Sequence, residues 1–138
     1  AQATACLVMI FWADIRLDDF GELFGPFTLQ LGWLAVPITV FSALGVINAF
    51  NMIDGLDGLA GGVFVVAAAA MALLAAQAGR ADAVDVLTVM VACILGYLAL
   101  NARLPWNRRA RVFLGDGGST NIGFFLAGLA VMGSWASA

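Results

Sequence analysis

The charges of this chain are confined to four islands, and that confinement limits the possible folds more than any single motif does. Its six arginines and nine acidic residues fall at Asp14–Glu22, at Asp54 with Asp57, at Arg80–Asp85, and at Arg103–Asp116. Between them run the uncharged stretches 23–53, 58–79, 86–102 and 117–138. Each is near or above the roughly 20 residues that a helix needs to cross a bilayer. The chain is 63% hydrophobic and 11% charged, whereas soluble domains average about 45–50% and 25%. These features predict an all-α polytopic membrane protein, not a soluble domain with a large core. A net charge of −3 says little about partners in such a chain, and no nucleic-acid partner is expected.

The runs and turn signals set the expected organisation. Residues 1–13 read as a partial membrane helix, and 33–52, 59–78, 84–101 and 119–136 as four complete ones. Between the first two, residues 15–32 carry a turn signal at Gly25-Pro26. There Phe27, Leu29 and Leu31 alternate with Thr28 and Gln30, which predicts a small surface β-hairpin. Asp18 and Asp19 are explained by a solvated turn. The short first run and the initial alanine suggest an internal piece of a larger membrane protein. Cys6 and Cys93 lie in apolar runs without companion ligands and are expected to be buried free thiols. With no histidine, the commonest general base and metal ligand is absent.

If each run crosses once, the islands alternate sides. The loops 53–58 and 102–118 then share one compartment, and the hairpin and residues 80–85 the other. Arg103, Arg108, Arg109 and Arg111 lie on the first side, and only Arg16 and Arg80 on the second. By the excess of positive charge on cytoplasmic loops, the first side is cytoplasmic and the hairpin extracytoplasmic.

Both cytoplasmic loops carry candidate chemistry. INAFNMIDGLDGLAGG, residues 47–62, spaces Asn48, Asn51, Asp54 and Asp57 three apart, close to one helical turn. Carboxylates at membrane depth cost at least a few kcal/mol and imply a function with a partner. The glycines make a straight helix unlikely here, and a break near Gly55 would turn Asp57 back toward the others. VFLGDGGST, residues 112–120, sets Asp116 between glycines before the last helix, with Ser119 or Thr120 placed to cap it. Helix-start N–H groups and neighbouring arginines favour phosphate. The lysine and spacing of a Walker A loop are missing. A carboxylate beside phosphate-binding groups suits Mg²⁺, which takes one or two protein carboxylates and completes its shell with phosphate oxygens and water. Arg108, Arg109 and Arg111 have an alternative use, holding helix ends against anionic lipid.

NAFNMIDGLDGLAGG and VFLGDGGSTNIGFF together resemble the polyprenyl-phosphate N-acetylhexosamine-1-phosphate transferases, and the first motif is most similar to the undecaprenyl-phosphate N-acetylglucosamine branch. The resemblance covers essentially the whole chain, as the fourth to eighth helices of a ten- or eleven-helix fold. It implies transfer of a sugar 1-phosphate from a UDP-sugar to polyprenyl phosphate with release of UMP, at the cytoplasmic face of a bacterial inner membrane. Mg²⁺, with Mn²⁺ as a substitute, is the implied cofactor; a homodimer is compatible with it.

By the same resemblance, Asp116 and Asp54 are metal ligands, and Asn51 lines the diphosphate region. Asp57, Asn101 and Phe113 hold the uridine, the phenylalanine by stacking. Gly115 and Ser119 belong to the nucleotide-binding loop, and Asn48 is a structural hydrogen-bonder at the helix break. The family's upstream Asp-Asp pair and downstream histidine-rich loop are absent from these residues, and Gly117 stands where alanine is usual, so the piece by itself is expected to be inactive. The competing expectation is a transporter or channel segment with Asp54, Asp57 and Asp116 along an ion path. Such a path needs polar groups near mid-membrane, yet spans 59–78 and 86–100 offer only Gln77 and Thr88, near their ends.

Overall fold

In the computed structural model, residues 1–21, 28–107 and 109–133 are described. They form five α-helices: α1 (Gln2–Ala13), α2 (Ala35–Ile53), α3 (Leu59–Gln77), α4 (Ala81–Asn101) and α5 (Gly115–Met132), with a 3₁₀ turn at Gly32–Leu34 leading into α2. Three segments, Gly32–Ile53, Leu59–Gln77 and Ala81–Asn101, are long and apolar enough to cross a membrane. The fourth expected span, α5, does not join them. Its first two turns, GDGGSTN, are small and polar, and they dilute the apolar run.

Two further expectations are corrected. Among the described residues there is no strand in the 15–32 region; an isolated antiparallel bridge pairs Asp19 with Gln30. Three main-chain bonds, from Phe20 to Leu29, Leu29 to Gly21 and Leu31 to Asp18, tie the two flanks. That is too little pairing for strands, and the expected Gly25-Pro26 turn lies outside the described residues. Asp18 and Asp19 belong to this local structure, Asp18 paired with Arg16 at 2.8 Å and Asp19 accepting from the Gly21 N–H. The second correction is that only Cys6 is buried; Cys93 is exposed on α4, on a face with no protein neighbour.

The helices pack as a chain of neighbours, α1 on α2, α2 on α5, α5 on α3 and α3 on α4. Small residues set the closest approaches, as expected where lipid supplies no hydrophobic drive for helix association. A Cβ on Gly123 of α5 would lie 2.9 Å from Ile47 Cα and 3.2 Å from Phe50 Cβ of α2. On α3, a Cβ at Gly61 would meet Leu98 Cδ2 of α4 at 2.8 Å. One apolar cluster joins Phe50, Phe64, Leu87, Ile94, Ile122 and Leu126 from four helices, and a second joins Cys6, Ala43, Ile47 and Ala127. The outward faces carry Trp12, Phe41, Val66 and Leu73 largely exposed, a surface suited to hydrocarbon.

Pro37 sits at the third position of α2, where its missing N–H would have no partner within the helix. After α1, the chain turns at Asp14 with φ 51° and is pinned to α2 where the Leu17 N–H donates to Thr39 Oγ1 at 2.9 Å. The alternating helix directions bring the end of α2, the start of α3, the end of α4 and the start of α5 to one end of the bundle.

Candidate functional site

The break in the first motif spans Asp54–Gly58. α2 runs through Asn51 to Ile53, and α3 begins after Gly58, whose φ of 83° is left-handed. Glycine is needed there for that conformation. A side chain would also meet Ala102, 3.1 Å from where the Cβ would stand. The break thus includes Gly55, as expected, and its left-handed residue is Gly58. Its consequence differs from the expected one, because Asp57 is turned toward Arg103 of the second loop and not toward Asn51 and Asp54.

The second motif departs more from expectation. α5 starts at Gly115, not at Ser119 or Thr120, and no side chain caps it. Asp116 consequently lies in the first turn, where a carboxylate is favoured by the helix dipole. Ser119 is a buried interior residue whose hydroxyl donates back to the Gly115 carbonyl at 3.0 Å. The glycines hid this start, because they lower intrinsic helix propensity while allowing the close packing that overrides it.

Asn51 joins the two motifs. Its amide donates to Ser119 Oγ at 3.1 Å and, more weakly, to Asp116 Oδ1 at 3.4 Å, spanning 65 residues of sequence. Asp54, half-buried, lies beside them. Burial chiefly pushes its carboxyl above the usual carboxylate range, Asp116 pushes it further, and the Gly115 N–H opposes this. The carboxylate of Asp54 thus feels that of Asp116 at the start of α5. Among the described residues no group of three or more acidic, cysteine or histidine side chains is gathered. A pair of carboxylates is nonetheless the donor set that Mg²⁺ uses when substrate phosphates complete its shell.

Asp57, with its side chain 19% exposed, accepts from Arg103 Nε at 2.9 Å across the gap between the loops. Asn101 is bonded through both atoms of its amide. Its Oδ1 accepts from the Gly58 N–H and its Nδ2 donates to the Val112 carbonyl, both at 2.7 Å. It therefore ties the two loops together through main chain. Phe113 is 77% exposed and free to stack. Gly115 opens α5 with a φ of 68°. Asn48 does not reach the break; it donates to Leu44 O one turn earlier, on an exposed face.

Two residues of this end escaped sequence reasoning. Asn107, 4% exposed, donates to the carbonyls of Leu100 and Ala102 and exchanges main-chain bonds with Leu104. It closes the free end of α4 and shapes the tight turn 104–107. No sequence pattern marks it. Tyr97, the one tyrosine, stands on α4 four residues before Asn101, towards the end that carries the two loops. The helical offset from Tyr97 to Asn101 was a usable signal, since residues four apart share a face. The large apolar groove between α1 and α5, about 800 Å³ and lined by Val8, Trp12, Phe124 and Phe125 among others, contains none of these groups.

The fold and site define a helical membrane protein with acidic loops converging at one end of the bundle. The chain belongs to glycosyl transferase family 4, which it matches over residues 1–134. Among its relatives are the undecaprenyl-phosphate alpha-N-acetylglucosaminyl 1-phosphate transferases of Haemophilus influenzae, 41% identical over 123 residues, and of Salmonella typhi, 43% identical over the same length. The Escherichia coli K12 enzyme of that name is 39% identical. These alignments take in 89% of this chain but only 33–35% of each relative. The chain thus spans about a third of the length of the curated relatives it matches.

Proposed function

We propose that the full protein containing this chain transfers a sugar 1-phosphate, N-acetylglucosamine 1-phosphate in the first instance, from a UDP-sugar to undecaprenyl phosphate, releasing UMP. The observation that carries this reading is the pair of bonds from Asn51, at the end of α2, to Ser119 and Asp116 at the start of α5, with Asp54 close enough to feel the Asp116 charge. Joining two anionic phosphates needs their repulsion cancelled. Mg²⁺, with Asp54 and Asp116 as ligands, would supply that cancellation and polarise the phosphoryl oxygens. Asn51 orients Asp116, and the exposed N–H groups at the start of α5 favour an anion beside them. Phe113 stacks on the uracil, with Asp57 as its polar partner, while Asn101 holds the two loops in register. The lipid substrate reaches a site at the membrane edge without leaving the bilayer.

In this reading the loops 53–58 and 102–114 face the cytoplasm, and the segment before α2 lies outside. The transporter alternative is disfavoured, since α3 and α4 carry no charged residue between Leu59 and Gln77 or between Val86 and Asn101. The test is exchange of labelled UMP with UDP-N-acetylglucosamine in membranes carrying the full-length protein. Asp116→Asn is expected to abolish exchange with insertion intact; unchanged exchange would remove Asp116 as a metal ligand. The 138 residues alone are expected to show no transfer.

A further inference from the structure

Arg103 stands two residues past α4, with its guanidinium on Asp57 at 2.9 Å. The pair is asymmetric, since the arginine side chain is 73% exposed and the carboxylate 19%. Asp57 is thus fixed in the protein, and Arg103 reaches it from solvent. Among the described residues, Arg109 and Arg111 of the same loop form no ion pair, so Arg103 is the arginine drawn to the acidic motif. With its guanidinium this exposed, Arg103 is screened by solvent and can exchange Asp57 for a partner of higher charge. Phosphate is such a partner, because its oxygens match the planar guanidinium fork.

We infer that Arg103 binds the phosphate of the nucleotide leaving group, exchanging its pairing with Asp57 for that phosphate when the nucleotide enters. This rests on the function proposed above and adds to it a cation that neither motif contains. The exchange serves two ends. Without nucleotide, Arg103 offsets the negative charge of the acidic loops; with nucleotide, it takes up charge on the departing phosphate and frees Asp57 for the base. The phosphate in question is the one attached to the nucleoside, since Asp57 and the exposed Phe113 ring belong to the same two loops.

The experiment compares UMP with uridine, which differ only in the phosphate, by equilibrium dialysis of radiolabelled ligand against the purified full-length protein. Arg103→Ala is expected to weaken UMP by about ten- to a hundredfold, the worth of a charge-assisted hydrogen-bonded contact, and to leave uridine unchanged. Retained uridine binding also reports that the loops are folded. Arg103→Lys is expected to fall between, keeping charge without the fork. Equal weakening of UMP and uridine would make Arg103 a clamp between loops and overturn the inference, as would no change in either. Failure of the unsubstituted protein to bind UMP would instead defeat the proposed function itself.

Discussion

Asp54 shows at the scale of one residue how a site strains its own fold. Burial and Asp116 raise its proton affinity, so the folded state tolerates its charge less well than the unfolded chain does. The sign follows from linkage. The penalty is absent at pH below the ordinary carboxylate range, grows as pH rises through the raised value, and is complete at neutral pH. Asp54→Asn should therefore raise the thermal unfolding midpoint of the detergent-purified full-length protein at pH 7 and lose that advantage in acid. The same variant should lower transfer by about a hundredfold or more, as loss of a group stabilising transition-state charge does. A midpoint that falls at pH 7 would show that the carboxylate is stabilising. Sequence alone marked Asp54 through its spacing, but its proton affinity depends on Asp116 and Gly115, more than 60 residues away.

At the scale of the element, the α2–α5 crossing holds the site together. Gly123 leaves no room for a Cβ against Ile47 and Phe50, and overpacking of this kind costs about 1–3 kcal/mol. Gly123→Leu should separate the helices, break the Asn51–Ser119 bond and lower both the unfolding midpoint and UMP exchange. Gly62→Ala, on the same kind of small-residue surface but with nothing within 4 Å of an added Cβ, should change neither. The loop elements behave differently. Asn107→Ala takes the side-chain donor from the Ala102 carbonyl and one of two donors from Leu100, which keeps the Arg111 N–H, a loss of about 1–3 kcal/mol. Because the defect is local, limited proteolysis should cut residues 102–114 faster while α3 and α4 stay protected. Apolar length placed the ends of α2, α3 and α4 to within three residues. α5 was placed four residues late, because three glycines and an aspartate read as loop until packing against α2 is taken into account.

At the scale of the whole molecule, the proposed arrangement in the membrane is open to direct test. A cysteine at Arg109 should react with a membrane-impermeant maleimide only in inverted vesicles, and one at Ala78 only from the opposite face, in full-length protein lacking its native thiols. Labelling of both from one side would undo the cytoplasmic placement of the acidic loops. The sequence by itself determined the membrane class, the helical fold and the two motifs. Hydrophobic length and charge placement are local properties, and a bilayer leaves few ways to satisfy a backbone within them. Only the tertiary structure decided which polar groups meet: Asn51 with Ser119 and Asp116, Asn101 between Gly58 and Val112, and Arg103 on Asp57. Those pairings depend on how closely small residues let one helix approach another and on where each helix stops, and both are settled by packing between segments far apart in the chain.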